Sequence, residues 1–248
     1  MKRIIFTLIL LISMNTYAQK FLKMAILGGA IYDYSLSEIY GFKGSYVSLN
    51  TYYPFKAGFQ VAYSFNNHLS AMSGYHFQYR YLEVNMYTSN VGNIFDGTKI
   101  MTSEIPLFLK YTRNINSGDH FSILGELGIS IDMMFISANT FGRYKNDIIG
   151  TLAITDGFTY TIELPDVTFP SLHASLGFST KLGETGAIDV LVNYHMQFKE
   201  QVKHLLIDYF TDYIQDPIIE SYENQSRISY FGIELRYYLP WKINLSKK

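Results

Sequence analysis

The chain has 248 residues, 48% hydrophobic and 17% aromatic, with 22 Tyr and 18 Phe, which suits one sizeable barrel or sandwich and not two such domains. A formal net charge of −1 gives no basic surface of the kind nucleic acid requires, so no nucleic-acid partner is expected. The absence of cysteine excludes a disulfide framework, a thiolate metal site and a lipid-modified N-terminal Cys, and no motif asks for a cofactor.

Residues 1–18 have the three parts of a secretory signal. Lys2 and Arg3 come first, then an apolar run over 4–11 continuing to Met14, then Asn15, Thr16, Tyr17 and Ala18. The run falls well short of the ~20 residues a spanning helix needs. A signal cleaved after Ala18 is therefore expected; with Lys2 and Arg3 gone, the net charge of −1 becomes −3 over a single domain, 19–248. No later stretch offers ~18 consecutive apolar residues, so a membrane-resident chain must cross as strands.

The first strand is predicted at 24–32, where Gly28 and Gly29 lack the remaining spacing and the following helix of a nucleotide loop. Over 55–65 the period of two is unbroken: Phe55, Ala57, Phe59, Val61, Tyr63 and Phe65 alternate with Lys56, Gly58, Gln60, Ala62 and Ser64. After the turn Asn66, Asn67, His68, one face carries Leu69, Ala71, Ser73, Tyr75, Phe77, Tyr79 and Tyr81. The other carries Ser70, Met72, Gly74, His76, Gln78 and Arg80, which completes a hairpin.

The pattern repeats downstream. Ile105, Leu107, Leu109 and Tyr111 oppose Glu104, Pro106, Phe108 and Lys110, and after a short turn Ile123, Leu127, Ile129 and Ile131 oppose Ser122, Glu126, Ser130 and Asp132. A third hairpin sets Leu172, Ala174, Leu176 and Phe178 against His173 and Ser175, then Ile188, Val190, Val192 and Tyr194 against Asp189, Asn193 and His195. A last strand is predicted at 228–239. About eight strands in all make an all-β fold, a single antiparallel transmembrane barrel.

Connections near Asn67, Ser117 and Glu184 are short, whereas 33–54, 87–100, 136–166 and 200–226 are long and polar. Short turns at one rim and long loops at the other are the asymmetry of outer-membrane barrels. A soluble barrel of the lipocalin kind also alternates, with the faces reversed. Small residues on the charged face (Gly58, Ser64, Gly74, Gly128, Gly232) and aromatics at strand ends (Phe55, Phe65, Tyr79, Tyr81, Tyr111) favour the membrane.

Gly58, Val61 and Tyr63, with Leu69, Gly74 and Tyr79, resemble the outer membrane β-barrel family of Bacteroidota that includes PorT-like proteins. So does the run Ser103, Glu104, Ile105, Pro106, Leu107, Phe108, Leu109, Lys110, Tyr111, and so do Gly125, Gly128, Gly177, Gly183, Asn193 and Tyr194. The resemblance spans the mature chain and implies a barrel in a Gram-negative outer membrane, not a reaction. Tyr230, Gly232, Leu235 and Tyr237 resemble the C-terminal signal read by the barrel-assembly machinery, although Pro240, Trp241 and a basic tail follow.

The alternation sends Arg80, Glu104, Lys110, Glu126, Asp132, Asp189, Glu234 and Arg236 into the lumen, where the expectation is that they pair and close it. His76, His173 and His195 also face inward, beside Ser130, Ser175 and Asp132, but no motif links them into a nucleophile and base, and no enzyme activity is expected. In the last loop Val202, Leu205, Leu206, Tyr209, Phe210, Tyr213 and Ile214 recur at helical spacing, which predicts an amphipathic helix for partner docking, ended before Pro217. Asp156 and Gly157, between alternating residues, predict a hairpin turn outside the membrane.

The sequence therefore points to a non-enzymatic outer-membrane barrel that contacts lipid and binds or anchors an envelope partner or ligand through its outer loops. A small-solute channel is the first alternative, and a lumenal lipid acyl-hydrolase or acyltransferase the second.

Overall fold

The structure is a computed structural model that describes residues 21–33, 39–42, 45–88, 92–115, 120–136, 140–149, 152–163, 168–183, 186–198, 202–212, 218–226 and 229–244. The expected signal at 1–18 lies outside the described residues.

All regular structure among the described residues is strand. In chain order the strands are β1 (Phe21–Asp33), β2 (Ile39–Phe42), β3 (Ser45–Ser64), β4 (Leu69–Thr88), β5 (Gly92–Asn114), β6 (Phe121–Ile136), β7 (Thr140–Ile149), β8 (Leu152–Glu163), β9 (Thr168–Leu182), β10 (Gly186–Gln197), β11 (Val202–Asp212), β12 (Ile218–Ser226) and β13 (Ser229–Asn244). Eight of them, β1, β3, β4, β5, β6, β9, β10 and β13, hydrogen-bond in an antiparallel ring that closes through the β1–β3 pair. These eight contain the eight stretches whose alternation is visible in the sequence. Closure leaves no edge, so backbone groups at membrane depth are satisfied within the ring.

The side chains face as the alternation requires. On β6, Leu127 is 61% exposed and Ile129 50%, whereas Glu126 is 6% and Asp132 0% exposed. A water-soluble barrel would reverse this, because charges belong in water and aliphatic side chains out of it. Stacked or edge-on aromatic pairs, Phe55 with Tyr79, Tyr63 with Phe65 and Phe121 with Phe178, stand on the outward wall.

One rim carries the tight turns. Asn66 Oδ1 accepts from the backbone N–H groups of His68 and Leu69, both at 2.7 Å, and Gly183 takes a positive φ of 67° between β9 and β10. At the other rim the strands run on. β3 and β4 have 20 residues each and β5 has 23, against the ~9–11 that cross a bilayer. β3 bends where it gains one residue between Tyr52 and Phe55, and Tyr53 sits there at φ 54°, an unusual left-handed conformation for a bulky side chain. Pro240 falls in a similar irregularity of β13, where proline's missing N–H disturbs the ladder least.

The long outer segments are largely strand. β7, β8, β11 and β12 form a second antiparallel sheet in the order β12-β11-β8-β7, and β7 lies beside β5. The expected amphipathic helix is absent: Val202, Leu205, Leu206, Tyr209 and Phe210 belong to β11, which pairs with both β8 and β12. Tyr213 and Ile214 lie outside the described residues. The expected turn at Asp156 and Gly157 is also corrected, because both lie within β8, opposite β7 and beside the irregularity in β11 between Ile207 and Phe210. β7 and β8 do form a hairpin, but its ends are Ile149 and Leu152.

Strand packing at the lumen depends on missing Cβ atoms. A Cβ on Gly74 would lie 2.1 Å from the Phe59 carbonyl oxygen, whereas one on Gly125 would meet nothing nearer than 3.5 Å. Gly74→Ala is expected to lower stability by about 1–3 kcal/mol in urea unfolding from lipid vesicles, with Gly125→Ala near wild type.

Candidate functional site

All eight expected lumen charges are buried, none more than 8% exposed. They come from β4, β5, β6, β10 and β13 and are brought together in layers across the barrel.

The layer nearer the tight turns is built on Lys110 and Arg236. Lys110 Nζ donates to Asp189 Oδ2 and to the Tyr238 hydroxyl at 3.0 Å. Asp189 stands directly opposite Arg236 in the β10–β13 register. The Arg236 guanidinium donates to both oxygens of Glu126, at 2.5 and 3.1 Å, and to Glu234 at 2.7 Å. Such a forked arginine–carboxylate pair combines strength with fixed orientation.

Lys56 joins this layer to the next, lying 3.5 Å from both Glu234 and Glu104. Sequence reasoning placed Lys56 on the inward face of its strand but left it out of the charge network. Its parity with Gln60 and Ser64 was the available signal.

The second layer centres on Glu104. Gln78 Nε2 donates to Glu104 Oε2 at 2.7 Å and to the Tyr230 hydroxyl at 2.9 Å, spanning from β4 to β13. His76 Nδ1 and His173 Nε2 approach Glu104 Oε1 at 3.2 and 3.1 Å. Arg80 donates to the side-chain amide oxygen Oε1 of Gln78 at 2.8 Å and stands over the Tyr230 ring. Asp132 accepts from Ser130, Ser171 and His195. Above this, towards the extended rim, the inward side chains turn apolar: Leu82, Val84, Ile94, Ile100 and Met134 are all buried.

Ser130 Oγ lies 2.9 Å from His173 Nε2, yet it donates to Asp132 at 2.6 Å, and Asp132 bonds His195 and the two serines instead of orienting His173. A nucleophile relay needs the base oriented by the acid, and this arrangement does not supply one. A groove of about 620 Å³ lies on the outward wall, floored by Gly125 and Ala174 between Leu109, Leu176 and Val192. It faces lipid and not the charged interior.

Ring closure, the outward apolar wall and the inward charges agree with solved structures. A crystal structure of the outer membrane protein OprG from Pseudomonas aeruginosa superposes with a TM-score of 0.51 at 13% identity, covering 92% of this chain and 97% of that one. The fold is that of an eight-stranded outer-membrane barrel. The outer membrane protein AlkL, solved in lipid bilayers, is similar at a TM-score of 0.46 and 13% identity, covering 94% of each chain. No family model matches the chain, and no curated protein matches it in sequence.

Removing one partner of a buried ion pair costs about 3–5 kcal/mol, because the other charge is left uncompensated. Arg236→Met is expected to lower stability by about that amount in equilibrium unfolding. Adding Glu126→Gln to it should restore part of the loss, since one of the stranded carboxylates is then neutral.

Proposed function

We propose that this chain is an outer-membrane protein whose barrel is closed by its own side chains, and which holds a binding surface outside the membrane. The supporting observation is the packing of the lumen: Glu104, Asp132 and Asp189 are 0% exposed, so no water-sized space runs beside them. A conducting lining must be wet. With the axis filled, the parts free to meet a partner are the sheet of β7, β8, β11 and β12 and the extended hairpin of β4 and β5. The occupant is an envelope protein or ligand met by those strands, and not by a docking helix.

On this reading residues 1–18 direct export, and Tyr230, Gly232, Leu235 and Tyr237 present the last strand to the barrel-assembly machinery. Membership of the PorT-like group rests on the run from Ser103 to Tyr111 and the glycines that accompany it.

A second reading, passage of a small solute, is favoured by one observation. Gln60 Oε1, Asp189 Oδ1, Asn193 Oδ1 and Arg236 Nε are buried without a protein hydrogen-bond partner, and a lumen that opened to admit water would satisfy them. Conductance separates the two. Wild-type protein in a planar bilayer is expected to show no steady current, and Glu126→Lys, which sets a second cation beside Arg236, is expected to show opening events. A steady wild-type conductance unchanged by Glu126→Lys would overturn the closed barrel and support the channel.

A further inference from the structure

One group of lumen side chains is assembled differently from the ion-paired layers. Asp132 is fully buried and accepts hydrogen bonds from Ser130 at 2.6 Å, Ser171 at 2.6 Å and His195 Nε2 at 2.7 Å. Among the described residues no lysine or arginine pairs with it, and His195 is its one partner able to carry positive charge. A carboxylate at membrane depth needs a counter-charge.

Beside it, His173 stands edge-on to His195 with ring centroids 4.4 Å apart. Its Nε2 is 2.9 Å from Ser130 Oγ and 3.1 Å from Glu104 Oε1. One ligand atom from each of Asp132, His173 and His195 lies within 4.8 Å of the other two, and all three residues are buried.

We propose that Asp132, His173 and His195 form a site for one divalent transition-metal ion of the zinc type. Two imidazole nitrogens and a carboxylate oxygen suit zinc, cobalt or nickel, whereas magnesium and calcium take oxygen-only cages. Ligands about 2.1 Å from a tetrahedral ion stand roughly 3.4 Å from one another. The 2.7 Å between His195 Nε2 and Asp132 Oδ2 opens to that value, and the separations from His173, within 4.8 Å, adjust to it. The ion takes the place of the proton that His195 and Asp132 share.

The surroundings are those of a held site. Ser130 steadies the second oxygen of Asp132, Gln78 the second oxygen of Glu104, and the His195 ring stacks on Tyr230 with centroids 4.6 Å apart. Asp132, His173 and His195 sit on the neighbouring strands β6, β9 and β10, so the backbone ladder fixes their spacing. Asp132 supplies the liganding negative charge, and the Glu104 carboxylate, 3.1 Å from His173 Nε2, stands beside the site. Because the ligands meet only when these strands pair, the ion is captured as the barrel closes. The site is independent of whether the lumen conducts.

The test uses the tag-free full chain folded in detergent with Co2+ as the probe. The expected result is one Co2+ per chain with the visible absorption of a tetrahedral nitrogen and oxygen site. Asp132→Asn and the double variant His173→Gln, His195→Asn should bind at least about 100-fold more weakly, and Ser171→Ala about 10-fold more weakly. The different gel mobility of unboiled and boiled samples reports folding for each. Folded wild type that takes up no Co2+, or a folded double variant that takes up the same amount through exposed His68 and His120, overturns the site. If the variants do not fold, X-ray absorption of the wild-type Co2+ complex decides: two imidazoles in the first shell support the site, and none refutes it.

Discussion

At membrane depth no water is available to satisfy a backbone group or a charge, and the rest of this structure follows from meeting that constraint inside the protein. The backbone meets it by ring closure, with β1 bonded to β13 on one side and β3 on the other. The side chains meet it by facing inward and taking partners from opposite walls, as Arg236 does with Glu126 and Gln78 with Tyr230. The two solutions are linked: the strand register that closes the ring also sets Asp189 opposite Arg236 and His173 opposite His195.

The barrel was legible because a strand between oil and a packed interior must alternate, and nothing else in the chain competes with that period of two. Parity alone located Glu126, Asp132 and Arg236. It could not show which charge meets which, since that depends on stagger between strands far apart in sequence. Lys56 shows the difference: its face was readable, but its two acidic partners lie 48 and 178 residues further along at Glu104 and Glu234.

The outer sheet was misread for a physical reason. β11 gains one residue against β12 between Leu206 and Tyr209, so its period of two breaks and its apolar residues fall three and four apart, which is the helical signature. Gly157 lies opposite the matching irregularity in the β8–β11 ladder, so the glycine there marks a bulge in a neighbouring strand and not a hairpin turn. Outside the membrane neither face of a strand is forced to be apolar, and the alternation that identified the barrel fades.

The lumen holds charges paired across opposite walls around a polar centre of three histidines, His76, His173 and His195. The most direct measurement is folding of the chain from urea with and without lipid vesicles, followed by protease resistance and gel mobility. The account predicts a compact, protease-resistant barrel only where vesicles are present, because Leu127, Ile233 and their outward neighbours need an apolar surrounding. A monomer that folds to the same resistant form in buffer alone would contradict it.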